Sequence, residues 1–140
     1  GVSGHAGVFS TAQDLAAFMH TLIFPGTRMD GAIATPWINA TTIYLFTKEN
    51  DHAISSRALG WNTNDPTVTD EGWNLSCGNL SPRTFMHLGY TGTQVCGDPY
   101  NRIYTVLLTN RVYPSNEGPS IHGIRQGFHN AVAQAIGASE

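Results

Sequence analysis

The segment from residue 83 to residue 108 constrains the fold more than any other part of the chain. Three strand-like runs follow one another there, at residues 83–88, 93–97 and 103–108, with only short turns between them. Short turns join antiparallel neighbours, because a parallel pair needs a crossover of about a dozen residues or more. The pattern therefore predicts a three-stranded antiparallel meander. Its apolar third strand is expected to be central and covered on both faces.

Helical periodicity predicts one amphipathic helix before the meander and one after it. A cap at Ser10 or Thr11 starts the first helix, where Ser10 and Gln13 fit a capping box. Ser120 caps the last helix, and Gly137 stands where a C-terminal glycine belongs. The apolar stripes are Leu15, Phe18, Met19, Leu22 and Ile23 in the first helix, and Ile121, Ile124, Phe128, Val132, Ala135 and Ile136 in the last.

The middle of the chain gives weaker signals. Residues 36–47 predict a second helix, although the unbroken apolar run at 43–46 leaves a strand as the alternative. Residues 57–61 predict a short strand, and an irregular stretch follows it to residue 80. The fold class is therefore α/β of the α+β kind, with the last helix packed on the meander. Residues 1–140 are expected to form one domain.

The low charge content limits the partners that the chain can have. Charged residues make up 12% of the sequence and the net charge is −3. Nucleic acid would need a basic stripe, and no apolar run approaches the roughly 18 residues of a membrane span. Neither partner is expected. A charge content below the usual value of about 25% indicates a surface that is covered by something or is rich in neutral polar groups. The sequence assigns no compartment.

No metal site, cofactor or lysine-activated serine is predicted. Cys77 and Cys96 have no CxxC companion, and free cysteines are the favoured interpretation of two isolated thiols. His122 and His129 stand about two turns apart on the last helix, too far to chelate one ion. Lys48 is the only lysine, so no serine has the lysine of an S-x-x-K motif to activate it.

The candidate site is the run from His87 to Thr93, between the first two strands of the meander. It combines a titratable ring with two glycines that permit close backbone approach, Gly89 and Gly92. Thr91 adds a hydroxyl. The alternative interpretation is that His87 is a structural strand residue. A third interpretation is a small-ligand cleft framed by aromatic rings, namely Trp61, Trp73, Tyr90 and Tyr113. The alternative for these rings is that they are ordinary packing anchors. For His5, a functional and a structural role are both left open.

Several segments together resemble the C-terminal part of the serine β-lactamase and penicillin-binding-protein-like family, particularly its esterase-like branch. The segments are residues 4–15 (GHAGVFSTAQDL), 58–63 (ALGWNT), 81–93 (SPRTFMHLGYTGT), 98–99 (DP) and 106–111 (VLLTNR). That family uses an S-x-x-K serine, a second Tyr or Ser motif, and K-T-G. In esterase-like members the lysine of K-T-G is often histidine.

The resemblance implies a role for each residue of the run. His87, Leu88 and Gly89 would stand at the third motif, with His87 polarising the site and the strand after Gly89 lying along the substrate. The catalytic set would be completed by Tyr90 or Thr91, one of which would give the oxyanion-hole amide. The implied substrate-binding residues are Leu88, Gly92, Thr93 and Trp61.

The chain departs from the family pattern in two ways. Leu88 replaces a hydroxyl residue, which argues against a β-lactam substrate and leaves hydrolysis of a small acyl ester or amide. S-x-x-K, Y-x-N and S-x-N do not occur, and in the family they lie upstream. We therefore expect a C-terminal fragment that is inactive alone. It would bind the missing N-terminal portion or self-associate through an exposed sheet edge. The alternative is a non-catalytic interaction module, or pseudoenzyme, with the same fold.

Overall fold

A computed structural model describes residues 6–67 and 75–138 of the chain. In chain order the elements are α1 (Ala12–Ile23), α2 (Ala40–Thr47), β1 (Asn62–Thr63), β2 (Phe85–Leu88), β3 (Gln94–Asp98), β4 (Ile103–Leu107) and α3 (His122–Ala135). These helices and strands make an α+β fold. None of the described helices has the length and apolar character needed to cross a membrane.

The sheet has four strands, in the order β1-β2-β3-β4, instead of the three predicted. β2, β3 and β4 pair antiparallel in sequence order, which confirms the predicted meander. β1 adds a strand beside β2 through Asn62 and Thr63 alone. The three-strand prediction is wrong because so short a strand carries no readable alternation. The strand predicted at residues 57–61 is also wrong, since the Ala58 amide donates to the Trp61 carbonyl and the chain turns there.

β4 lies at the border of the described sheet. Within the ranges given above it pairs only with β3, so the expected central position is wrong for this part of the chain. All its side chains are nevertheless buried or partly buried. The apolar composition of β4 therefore reflects cover on its two faces and not a strand on each side.

Helices cover the two faces of the sheet. Side chains of neighbouring strand residues point to opposite faces, so Phe85 faces α1 and Met86 faces α3. Gly97 lets α1 approach closely, because a Cβ at this position would collide with Phe85 and Met19. The buried cluster under α1 is Met19, Ile23 and Phe85, and the cluster under α3 is Cys77, Leu80, Met86, Cys96 and Ala133.

The cap of α1 lies one residue later than the capping box predicted. The Thr11 hydroxyl accepts a 3.1 Å hydrogen bond from the Asp14 amide and donates one of 2.9 Å to the Asp14 carboxylate. The pairing of Ser10 with Gln13 is therefore wrong, whereas the alternative cap, Thr11, is confirmed. An aspartate at the third helical position is the better partner, because its charge also complements the helix dipole.

α2 is confirmed as a helix, and the strand alternative is wrong. The helix begins at Ala40 and not at residue 36, because the Asn39 side chain supplies the cap with a 2.8 Å hydrogen bond. An asparagine at this position accepts from the first-turn amides as well as the predicted threonine would.

α3 ends as the sequence predicts. Gly137 has φ +71°, and the Ala138 amide donates 2.9 Å to the Ala133 carbonyl, which is a Schellman ending. At the start, the Ser120 hydroxyl accepts from the His122 amide at 3.2 Å. The predicted cap at Ser120 is nevertheless wrong, because the N-cap residue is Ile121 and it makes no side-chain cap hydrogen bond.

The cysteines are not free. Cys77 and Cys96 form a disulfide with Cα atoms 6.2 Å apart, within the ordinary range. The prediction of free cysteines is wrong, because sequence spacing cannot show that the loop before β2 folds onto β3. The bond fastens this loop to the face of the sheet that α3 covers.

Candidate functional site

The run predicted as the site forms the end of β2 and the turn into β3. β2 ends at Leu88, and the Gly89 amide donates to the Thr93 carbonyl at 2.7 Å. The Gly92 amide then donates to the Gly89 carbonyl at 3.0 Å. The backbone therefore reverses within a glycine-bounded turn between β2 and β3.

His87 lies exposed near the end of β2. Its Nδ1 atom is 3.1 Å from the Leu88 carbonyl oxygen. Because a carbonyl can only accept, this contact requires the proton on Nδ1, and among the described residues Nε2 makes no hydrogen bond. The ring meets the Trp61 ring edge-on, with centroids 6.3 Å apart. His87 is thus held by the backbone on one side and by an indole on the other.

The edge of β2 beside His87 has no strand along it in the described part of the chain. β1 pairs only with Phe85 and Met86, so it stops before His87. Trp61 directly precedes β1, and its ring packs against Phe85 at 4.9 Å between centroids. Beyond this ring, Leu88 turns its backbone N–H and C=O outward on the β1 side, whereas the backbone groups of His87 point toward β3.

Two glycines allow the tight turn after His87. A Cβ at Gly89 would collide with the Thr93 hydroxyl, which lies against it. Gly92 has φ +99°, and a Cβ there would meet Thr109 and Ile121. Both positions therefore require glycine for local packing, independently of any ligand.

Residues far along the chain hold this turn in place, and the sequence analysis did not find them. One terminal nitrogen of Arg125, on α3, donates 2.8 Å to the Gly89 carbonyl and 3.1 Å to the Thr93 carbonyl. The Thr91 carbonyl accepts from the Thr109 hydroxyl at 3.1 Å and from the Arg111 amide at 2.9 Å. The one available signal was a cation among the apolar positions of the last helix.

The turn lies in a locally positive environment. Arg125 is 5% exposed, and burial lowers its pKa, as does the nearby charge of Arg111. Within residues 6–67 and 75–138, neither arginine has a carboxylate partner within ion-pair distance. An anionic or strongly polarised oxygen near the turn would therefore be stabilised.

Tyr90 stands at the tip of the turn and is 72% exposed. The Arg111 guanidinium lies over its ring at 5.7 Å from the centroid, and its hydroxyl accepts from the Asn116 amide nitrogen at 3.2 Å. Among the described residues, the backbone amide of Tyr90 donates no hydrogen bond. This amide is thus a donor available to an incoming oxygen.

The other predicted residues are dispersed. Leu88 points to the opposite face from His87 and packs on the cluster under α3. Tyr113 is exposed after β4, with no described contact to Trp61. Trp73 and His5 lie outside the described residues. An aromatic cleft framed by all four predicted rings is therefore not assembled in the described part of the chain.

A buried histidine supports the helix that carries Arg125. His129 Nδ1 lies 2.8 Å from the Arg125 carbonyl, and Nε2 lies 2.8 Å from the Thr105 hydroxyl. The carbonyl fixes the proton on Nδ1, so Nε2 accepts from the hydroxyl. Burial lowers the pKa of His129, which keeps the ring neutral.

Comparisons with known proteins agree with the resemblance seen in the sequence. The family model described as Beta-lactamase matches residues 1–126. A "Putative D-alanyl-D-alanine carboxypeptidase" of Escherichia coli (strain K12) is 37% identical over 112 residues, which are 79% of this chain and 24% of that protein. A protein of the same name from Salmonella paratyphi B is 30% identical over 122 residues, 87% of this chain and 26% of that protein.

The chain spans about a quarter of the length of these curated relatives. No solved structure matches it. The family match covers α1, α2, the whole described sheet and the turn after His87, and it ends within α3. The chain belongs to the Beta-lactamase family.

Proposed function

We propose that this chain forms one wall of the acyl-transfer site of a serine hydrolase. The attacking serine would come from a segment outside these 140 residues, since the sequence contains no S-x-x-K motif. The observation that carries the proposal is the position of His87. It lies exposed at an open strand edge, beside a turn whose tip presents an unengaged backbone amide.

Each residue of the wall has a role in this proposal. A serine oxygen from the other wall attacks an acyl carbonyl, and the oxygen of that carbonyl becomes negative. The Tyr90 amide, or that of Thr91, donates to this oxyanion in the locally positive environment of the turn. His87 offers its Nε2 lone pair to a proton at the reacting centre. When the tetrahedral intermediate collapses, the bond to the amine or alcohol breaks, and this group leaves with the proton taken from the serine. Water then hydrolyses the serine ester, which releases the acid and returns a proton to the serine.

The substrate class follows from two observations. The relatives are named as carboxypeptidases, which cleave an amide bond at a C-terminus. Leu88, where a hydroxyl would be expected, packs into the core and so offers no hydrogen bond to a substrate. A small acyl amide or ester is therefore favoured over a β-lactam, with Trp61 beside the open edge and Thr93 in the turn.

The test joins or co-expresses this chain with its upstream segment carrying S-x-x-K. A fluorophosphonate probe should label the assembled protein. Replacing His87 with alanine should slow hydrolysis of a p-nitrophenyl ester about 100-fold, a typical contribution of one acid–base group. The matched control is Tyr100→Ala, an exposed ring on the distant β3–β4 turn. The chain alone should hydrolyse no ester above its His87→Ala variant, and serine-dependent turnover by it would refute the proposal.

A second candidate is a non-catalytic interaction module with the same fold. The hydrogen bond that engages His87 with its own backbone favours it. Folded, assembled protein that takes up no fluorophosphonate would support this module and exclude the hydrolase.

A further inference from the structure

A second cluster of ligating side chains lies toward the opposite end of β2 from His87. Glu49 and His52 belong to the loop after α2, and Asp65 follows β1. His52 Nδ1 is 2.6 Å from Glu49 Oε1 and 3.3 Å from Asp65 Oδ2. One donor atom from each of the three residues lies within 4.8 Å of the others. The tertiary structure thus gathers two carboxylates and an imidazole at one point.

Asp65 is the buried member of the cluster, at 7% exposure. Its Oδ1 atom accepts from the Thr67 amide and from the Thr67 hydroxyl, both at 2.8 Å. Its Oδ2 atom is buried and accepts no hydrogen bond from any described residue. Its charged neighbour among the described residues is His52 Nδ1, 3.3 Å away. Because a buried carboxylate oxygen without a hydrogen bond is costly, this arrangement favours a cation between the two atoms.

The hydrogen bonds fix which nitrogen of His52 faces the carboxylates. Because the Thr67 hydroxyl donates to Asp65, its oxygen accepts from His52 Nε2, which lies 3.4 Å away. His52 Nδ1 thus lies against two carboxylate oxygens, an arrangement that a positive charge between the three atoms would stabilise. A metal-binding histidine usually donates a hydrogen bond from the ring nitrogen that does not contact the metal, which here would be Nε2.

The spacing of the donors suits a tetrahedral ion. Two ligands bound at about 2.0–2.2 Å in tetrahedral geometry lie roughly 3.4 Å apart. The distance from His52 Nδ1 to Asp65 Oδ2, 3.3 Å, already has this value. Glu49 Oε1 is 2.6 Å from His52 Nδ1 and would have to move slightly away from this nitrogen to reach the same spacing. Its side chain is partly exposed on a loop, so it has room to do so.

We propose that Glu49, His52 and Asp65 bind a divalent transition-metal ion of the zinc class. An imidazole with two carboxylates suits zinc better than calcium or magnesium, which prefer all-oxygen sites. The ion would tie the loop after α2 to the end of β1. This inference stands apart from the proposed function, because none of its residues belongs to the wall at His87.

The test titrates zinc chloride into the metal-free, disulfide-intact chain by calorimetry, with circular dichroism to verify folding. We expect one equivalent of zinc to bind and to raise Tm, while calcium at the same concentration leaves Tm unchanged. Asp65→Asn and His52→Gln should each weaken zinc binding at least tenfold. Glu49→Gln, at a more exposed residue, serves if the buried Asp65 variant fails to fold.

The matched controls are Asp30→Asn, at an exposed carboxylate elsewhere, and His122→Gln, and both should bind zinc as the parent chain does. Two results would overturn the proposal. One is zinc affinity that is equal in the parent, the Glu49→Gln variant and the His52→Gln variant. The other is a parent chain that binds no zinc, in which case a proton on His52 balances the two carboxylates.

Discussion

Among single residues, Arg125 has the largest structural effect on the candidate site. One buried guanidinium nitrogen joins α3 to both ends of the turn after His87. No described carboxylate compensates this charge, so the two carbonyls are its principal partners. Hydrogen bonds from a charged donor are stronger than neutral ones, and losing them leaves the two carbonyls unsatisfied.

Replacing Arg125 with methionine should therefore lower the free energy of unfolding by about 2–4 kcal/mol, as expected for loss of a buried charged donor. Arg111→Met is the matched control. Arg111 is only partly buried, and its side chain makes a single long hydrogen bond, to Tyr90. Urea denaturation of the two variants checks this. Equal losses would mean that the link between α3 and the turn is not important for stability.

Two buried titratable residues make the stability depend on pH. Burial lowers the pKa of His129 below its ordinary value of 6.5. Burial alone would raise the pKa of Asp98, but hydrogen bonds from Ser81 and Asn101 together lower it below 3.8. In both cases the unfolded chain takes up a proton at a higher pH than the folded chain, so acid favours unfolding.

The free energy of unfolding should be greatest above pH 6.5. It should fall below that value, because His129 of the unfolded chain takes up a proton before His129 of the folded chain does, and fall again below about pH 3.8 for the same reason at Asp98. The free energy of unfolding, measured by urea titration from pH 3 to 8, checks the two steps. His129→Gln should remove the upper step and keep the lower one. An upper step that persists in this variant would assign it to another group.

At the scale of elements, the loop before β2 is attached to the sheet by two means. The Cys77–Cys96 disulfide is one. The other is Asn64, which is 1% exposed and donates 3.0 Å hydrogen bonds to the carbonyls of Gly78 and Leu80. Its side-chain oxygen accepts from the Cys77 amide at 3.3 Å. Asn64 thus joins the end of β1 to a loop that has no regular structure.

We expect Asn64→Ala to lower the free energy of unfolding by about 2–4 kcal/mol, because several buried backbone groups lose their partners. Asn50→Ala is the matched control, since Asn50 is exposed and makes one 3.4 Å contact. It should change stability by less than about 0.5 kcal/mol. Thermal unfolding of both variants is the measurement. A small effect at Asn64 would show that the disulfide alone holds the loop.

For the molecule as a whole, the outer edge of β4 is the feature most relevant to association with other chains. Both faces of this strand are covered, yet its outer edge has no strand partner among the described residues. Such an edge is a template for pairing with another chain. The chain also spans only about a quarter of its relatives, which leaves room for further strands in a longer protein.

The isolated chain should therefore associate with itself, and co-expression with its upstream segment should suppress this association. Sedimentation velocity over a range of concentrations checks the first part, and co-purification of the two segments checks the second. A concentration-independent monomer that does not bind the upstream segment would contradict the expectation.

The sequence by itself determined the elements whose signals are local. The stripe of α1, the meander and the glycine ending of α3 depend on residues a few positions apart, so periodicity and turn chemistry predict them. The family was predicted from the resemblance of several short segments, and the role of His87 stays a prediction. The caps at Thr11 and Asn39 show the limit, since several neighbouring residues can cap equally well and only the geometry chooses one.

Tertiary structure alone decided the contacts between residues distant in sequence. It paired β1 with β2, joined Cys77 to Cys96, and brought Arg125 to the turn after His87. It also gathered Glu49 and His52 at Asp65. None of these contacts leaves a periodic signal, because each depends on how far the intervening chain folds back. Backbone carbonyls and buried polar atoms must find partners wherever the packed elements place them, and that requirement acts only once the sheet and its helices have assembled.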